Sequence, residues 1–247
     1  WREGYGMSLT RYYEELTESV KLADSLGWTR AMTTEHHFHY YGGAVPNPEI
    51  ILAAWARETK NIRLAPAVSL MQLRDPLKVA EDYALVDQLS GGRVDMGVAK
   101  GFVPHEFDAF HIDQSEVPDR IAEGLDICQK FWSGAPFAHE GKFFKFEKLD
   151  PWPPTVTGAL PIWNAASNSK DSFINAADQG FHLMMNHYPM SAEAVKEKFA
   201  WYCERWESAG RKTADRKGMI AFMAHIADTE EQAIEEAKAA LQEHAGA

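Results

Sequence analysis

The chain has 247 residues, and 25 Lys and Arg against 36 Asp and Glu leave a formal charge of −11. Hydrophobic residues at 45% and aromatic residues at 12% are enough to build a packed core and argue against disorder. An acidic chain is poorly suited to nucleic acid, whose affinity rests on Lys and Arg neutralising phosphates. No apolar run is long enough to span a bilayer, and Trp1-Arg2-Glu3-Gly4 is not a secretory start. Two isolated cysteines, Cys128 and Cys203, with no Cys-x-x-Cys motif, point to a reducing, cytoplasmic setting.

In chain order, Leu9 to Leu26 has helical spacing and closes at Gly27, followed by a β-leaning run from Trp28 to Thr34. Asn47-Pro48 opens a helix to about Thr59, with Asn as cap and Pro at the first helical position. Ile62 to Ser69 reads as a buried strand, Asp75-Pro76 opens a helix to Leu89, and Arg93 to Ala99 is a strand ending at Lys100-Gly101. Residues 102–160 interrupt the alternation with a polar loop, a helix from about Pro118 to Trp132, and a Pro/Gly-rich stretch from Gly134 to Gly158. Strands follow at Pro161–Ala165, His182–Met185 and Met219–Ile226, with helices at Ser169–Gln179, Ser191–Ala209 and from Asp228 to about residue 243.

Regular strand–helix alternation means parallel strands joined by crossover helices. The length suits an eight-stranded barrel of about 250 residues, yet the pattern holds six strands and seven helices. An opening helix with no strand before it favours a (β/α)8 barrel lacking its first and last strands over an open six-stranded sheet. The expectation is one domain over residues 1–247 with an excursion at about 102–160.

Three groups of residues stand where strands end, the place where α/β folds gather their sites. His36 and His37, within Glu35-His36-His37-Phe38, are candidate bases near neutral pH, or loop histidines held by Glu35. With His39, and with His182 or His187, they are also a possible zinc set, although adjacent histidines point to opposite faces of a strand. Lys100 and the helix start at Ser167-Asn168-Ser169, with Arg120 at a helix start after the intervening loop as a second cation, offer cations, hydroxyls and backbone N–H groups for a phosphate, against the plainer reading of Ser169 as a helix cap and Lys100 as a solvated charge. Phe102, Phe107 and Phe110, and the Tyr40-Tyr41-Gly42-Gly43 run, either wall an apolar pocket or pack on the core.

The sequence resembles the bacterial luciferase-like flavin-dependent monooxygenases along nearly its whole length. The resemblance is carried by Glu35-His36-His37-Phe38, Pro46-Asn47-Pro48, Ile62 to Val68, Asp75-Pro76 with Val79 to Asp82, and above all Leu85 to Arg93 running into Gly97 to Gly101. It implies a (β/α)8 TIM barrel that binds reduced FMN at the carboxyl ends of its strands, supplied by a separate flavin reductase. O2 would be activated as a C4a-(hydro)peroxyflavin and delivered to a small organic substrate. Position by position, His36 matches a catalytic base, Ala67-Val68 a cis peptide beneath the flavin, Lys100 and Arg120 phosphate-binding cations, and Ser169 and Ser172 hydroxyls of the phosphate cup. Ala99 stands where luciferase has a reactive cysteine, and Lys100 replaces an arginine, exchanging a bidentate fork for a point charge. The resemblance also implies a homodimer formed through the helices at 47–59 and 75–89. Within the same fold a deazaflavin-dependent oxidoreductase and a non-catalytic flavin-binding protein remain alternatives.

Overall fold

The structure is a computed structural model that describes residues 7–38, 44–186 and 190–245, the last seven of these by backbone alone. Tyr40, Tyr41, Gly42 and Gly43, together with His39 and His187, lie outside the described residues.

Six parallel strands alternate with helices. They are β1 (Arg30–Thr33), β2 (Arg63–Pro66), β3 (Met96–Val98), β6 (Ile162–Ala166), β7 (His182–Asn186) and β8 (Gly218–Ala221). Backbone pairing runs β1–β2 and β3–β6–β7–β8, and parallel bridges Leu64–Val94 and Ser69–Val98 join β2 to β3, so all six form one curved succession. The helices are α1 (Leu9–Ser25), α2 (Pro48–Glu58), α3 (Pro76–Ser90), α4 (Pro104–Ala109), α5 (Val117–Trp132), α6 (Lys170–Gln179), α7 (Ala192–Ser208) and α8 (Glu230–Ala245). Among the described residues none is long and apolar enough to cross a membrane.

Local chemistry explains the helix boundaries. Asp75 accepts from the backbone N–H of Leu77 and Lys78, Pro76 follows at the first helical position, and α3 ends at Gly91 with φ 71°. That left-handed residue costs glycine little and lets its N–H close the last turn. Asn47 precedes Pro48 as expected, but its side chain makes no capping bond.

The core holds two large bodies of apolar side chains and a small third cluster of Leu70, Leu73, Phe107 and Val117. The larger packs α2, α3 and α5 onto β2 and β3 around Leu52, Tyr83, Leu64, Met96 and Trp132. Trp132 is 1% exposed and its indole N–H donates to the Ala80 carbonyl at 3.0 Å, which leaves the buried ring without an unmet donor. The smaller packs α6 and α7 onto β6 and β7 around Phe173, Leu183, Tyr202 and Trp206. Gly97 lies inside the curve, where an added Cβ would stand 2.1 Å from the Pro66 carbonyl oxygen and 2.8 Å from Met184 Cε. Only glycine fits that approach.

At the amino ends of the strands, Asp95 is fully buried. It takes Nε and Nη2 of Arg30 at 2.8 and 2.5 Å, Nε and Nη2 of Arg63 at 2.9 and 2.5 Å, and the Trp163 indole N–H at 3.1 Å. Two guanidinium groups on one carboxylate close the floor and tie β1, β2, β3 and β6 together. His182 lines the same floor cavity with Lys217.

The excursion differs from the expectation in two respects. The polar loop holds the short helix α4, and inside the Pro/Gly-rich stretch lies an antiparallel hairpin, β4 (Phe137–Glu140) with β5 (Lys145–Leu149). Its turn wraps the Glu123 carboxylate of α5, which accepts from the backbone N–H of Lys142, Phe143 and Phe144 and meets His139 Nε2 at 3.0 Å. The proline and glycine content around the hairpin conceals its two short strands. β8 also stops at Ala221, short of the expected Ile226, because Phe222, Met223 and Ile226 are exposed beyond the pairing.

Burial, with Lys217 and Arg30 adding to it, pushes the His182 pKa below its ordinary 6.5, while Asp95 opposes the shift. The unfolded chain therefore binds this proton more readily, and the fold loses stability as pH falls below about 6.5. His182→Gln should flatten that part of the pH dependence of urea unfolding. An unchanged slope would contradict the burial account.

Candidate active site

The carboxyl ends of all six parallel strands open on one cavity of about 760 Å³. The β1 end contributes Thr34, Glu35 and His36; the β2 end Ala67, Val68 and Leu70; the β3 end Ala99 to Phe102. Opposite them stand Ala165 to Ser169 and Ser172 from β6 and α6, Met184 to Asn186 from β7, and Met219 to Ala221 from β8. Of the expected site residues, His36, Ala67, Val68, Lys100, Ser169 and Ser172 all line this cavity.

The loop after β1 is held by buried polar groups. Glu35 is 2% exposed; its Oε1 meets His37 Nε2 at 3.1 Å, and its Oε2 accepts from Leu70 N, Ser69 Oγ and Arg74 Nη2 at 2.9, 3.1 and 3.2 Å. Arg74 also reaches Ser69 Oγ at 2.6 Å and Glu49 Oε1 at 2.5 Å. On the other side Glu106 of α4 places Oε1 3.0 Å from His36 Nδ1 and 2.7 Å from the backbone nitrogen of His37. His36 thus faces the cavity with its ring anchored, and Phe102 lies edge-on to it with centroids 5.9 Å apart. His37 is turned inward, as alternation predicts for adjacent residues.

The Ala67–Val68 peptide is cis. Its approach to the neighbouring strands is close, with Ala67 N donating to Thr33 O at 2.6 Å and Ser69 N to Gly97 O at 2.8 Å. Val68 and Leu70 form an apolar ledge in the lining of the cavity, which Met32, Met184 and Met219 also line.

The polar end is built at α6. Ser169 occupies the cap position, yet its side chain makes no capping hydrogen bond among the described residues; Ser172 N closes onto Ser169 O at 3.0 Å, and the N–H groups before it have no intrahelical partner. Lys198 Nζ pins the preceding loop through Ser167 O at 2.7 Å and Asn168 Oδ1 at 3.0 Å. Lys100 is exposed to the cavity and makes no ion pair with a described residue. Arg120 is absent from the lining. It pairs with Glu116 one turn earlier at 3.0 Å, and its guanidinium lies 4.3 Å from the Phe143 ring of the hairpin.

Phe107 is 3% exposed and packs with Leu70, Leu73 and Val117 under α4, so of the three phenylalanines only Phe102 reaches the cavity. The Cys128 thiol is buried, donates to Pro76 O at 3.4 Å, and has its pKa pushed up by that burial. A thiol so placed is a packing group rather than a nucleophile. Among the described residues no cluster of three or more His, Cys, Asp or Glu is arranged to hold a metal ion. Glu106 escaped the sequence reading, because it lies 70 residues from His36 and belongs to no local motif.

A model of the luciferase-like monooxygenase family matches residues 2–247. The crystal structure of a monooxygenase from Streptomyces bottropensis superposes with a TM-score of 0.90 at 30% identity, covering 95% of this chain and 72% of that one. The oxygenating constituent of 3,6-diketocamphane monooxygenase from Pseudomonas putida, a type II Baeyer–Villiger monooxygenase solved with FMN, gives 0.82 at 26% identity over 94% and 67%. The oxygenase component of a flavin-dependent trigonelline monooxygenase from Acinetobacter baylyi is 28% identical over 227 residues, 90% of this chain and 61% of that protein. The chain spans about half the length of the curated relatives it matches, at 46%, 52% and 61% for three of them. The six parallel strands are accordingly a run of the (β/α)8 barrel these structures share.

Removing Arg74 would strand Glu35, whose side chain is fully buried. Arg74→Leu should therefore cost about 3–5 kcal/mol in urea unfolding, and a loss within about 0.5 kcal/mol, the range of an ordinary surface substitution, would show that the pair does not hold this loop.

Proposed function

The chain belongs to the luciferase-like monooxygenase family, and on that premise we propose that it is an FMN-dependent monooxygenase acting with O2 on a small organic substrate. The observation that carries this reading is one cavity lined both by apolar side chains and by Lys100, Ser169 and Ser172, groups able to meet a phosphate.

These residues fit FMN. A flat ring system suits the walls made by Met32, Val68, Leu70 and Met184, while Lys100, Ser169, Ser172 and the first turn of α6 suit a phosphate. When bound, reduced FMN supplies the electrons that activate O2. The apolar side chains exclude water from the reacting atoms, which suppresses unproductive loss of the activated oxygen. His36 accepts a proton at its imidazole and returns it at the end of the cycle, a role its position on the cavity wall permits. A flavin reductase supplies the reduced cofactor, as the designation of the trigonelline relative as an oxygenase component supports. The protein works as a homodimer in the cytoplasm, with Ile50 of α2 and Leu85 of α3, 67% and 51% exposed, at the contact between copies.

Anaerobic titration tests the cofactor directly: reduced FMN should bind, and preference for a deazaflavin coenzyme would overturn the reading. Lys100→Met should weaken FMN binding about 10- to 100-fold, the worth of a hydrogen bond to a charged group. Arg120→Ala should matter less, since Glu116 and Phe143 already engage that guanidinium. His36→Ala should retain FMN and lower product formed per O2 consumed, with oxygenation slowed about 100-fold or more. Oxygenation at the unmodified rate would exclude His36 as the base.

A further inference from the structure

We propose that Glu106 is the positioning residue of His36, fixing its imidazole as the Nδ1–H tautomer so that the lone pair lies on Nε2. The inference rests on the proposed role of His36 as base and adds the group that prepares it.

Glu106 is 1% exposed. Its Oε1 lies 3.0 Å from His36 Nδ1 and accepts the His37 backbone N–H at 2.7 Å, whereas Oε2 is buried and takes no hydrogen bond. All the hydrogen bonding of this side chain is thus spent on two consecutive residues of the loop after β1. Oε1 already accepts the His37 N–H, which marks it as an acceptor oxygen, so the His36 nitrogen facing it carries the hydrogen. The partner of one ring nitrogen sets the state of the other.

The backbone is fixed by the same helix. His105, the neighbour of Glu106 in α4, brings Nε2 to 3.2 Å from the His37 carbonyl oxygen, so α4 grips both polar groups of the His37 main chain. Phe107 seats α4 in the apolar cluster of Leu70, Leu73 and Val117. The ring, its tautomer and the peptide beside it are therefore held by three consecutive residues.

The proton bookkeeping is simple. In the resting state Nδ1 carries one hydrogen and Nε2 none. A proton leaving the reacting partner goes to Nε2, the ring becomes an imidazolium, and the carboxylate 3.0 Å away compensates the new charge without moving. Release of the same proton restores the resting ring.

The test uses the full chain labelled with ¹⁵N-histidine and free of flavin. Nitrogen shifts of the neutral His36 ring, assigned by comparison with His36→Gln, report which nitrogen bears the hydrogen. The expected result is Nδ1–H in the unmodified protein, retained in Glu106→Gln, whose amide oxygen still accepts both N–H groups, and lost in Glu106→Leu. Glu106→Leu should also slow oxygenation about 100-fold while reduced-FMN affinity is unchanged. An Nε2–H ring in the unmodified protein overturns the inference, as does an unaltered Nδ1–H ring in a folded Glu106→Leu. Should Glu106→Leu not fold, the tautomer of the unmodified protein decides alone. An Nδ1–H ring in a chain that binds no reduced FMN would sustain the dyad and overturn the flavin reading; an Nε2–H ring in a chain that binds it would do the reverse.

Discussion

The segment of residues 35–37 that follows β1 is clamped by two buried side chains, Glu35 and Glu106, and the geometry of the site follows from that clamp. Glu35 pulls the loop toward the loop after β2 through Leu70 N, Ser69 and Arg74, while Glu106 pulls it toward α4 through His36 and His37. The charge of the buried Glu35 is met by Arg74 and by N–H and O–H donors, and Glu106 Oε1 accepts from His37 N beside the His36 ring. These contacts leave residues 35–37 little freedom, so His36 faces the cavity and His37 the interior. For His36 as the proposed base, preorganisation of this kind removes a reorganisation cost during reaction.

The two ends of the barrel use buried charge differently. At the floor Asp95 gathers Arg30, Arg63 and Trp163, tying four strands at their amino ends. At the carboxyl ends the polar groups are spent on loops, and Lys100 and Ser169 line the cavity. Between the two layers Gly97 lets the β2 backbone and Met184 approach where a side chain would not fit. The division matches the general behaviour of such barrels, in which the amino-end face serves stability and the carboxyl-end face chemistry.

Much of this was legible in the sequence. Six parallel strands followed from alternation of apolar runs with capped helices, and Asp75-Pro76 and Gly91 marked α3 through chemistry that acts within one turn. That His36, Lys100 and Ser169 lie beside the cavity was legible because each stands just after a strand, a position sequence order reveals. Glu106 and the Glu35–Arg74 pair were not, because their partners are brought together only by packing. Arg120 shows the converse: a cation at a helix start reads as available for phosphate, but Glu116 one turn away and Phe143 of an unforeseen hairpin occupy it. That hairpin was hidden because its strands are short and lie among prolines and glycines.

The central claim is that this cavity turns reduced flavin and O2 into an oxygenating system. It is tested most directly by loading the protein anaerobically with reduced FMN, mixing it with oxygenated buffer, and following the absorption spectrum through time. The account predicts a species that persists between the reduced and oxidised spectra, sheltered from water by the apolar walls. Direct return of the oxidised spectrum at the rate seen without protein would contradict it.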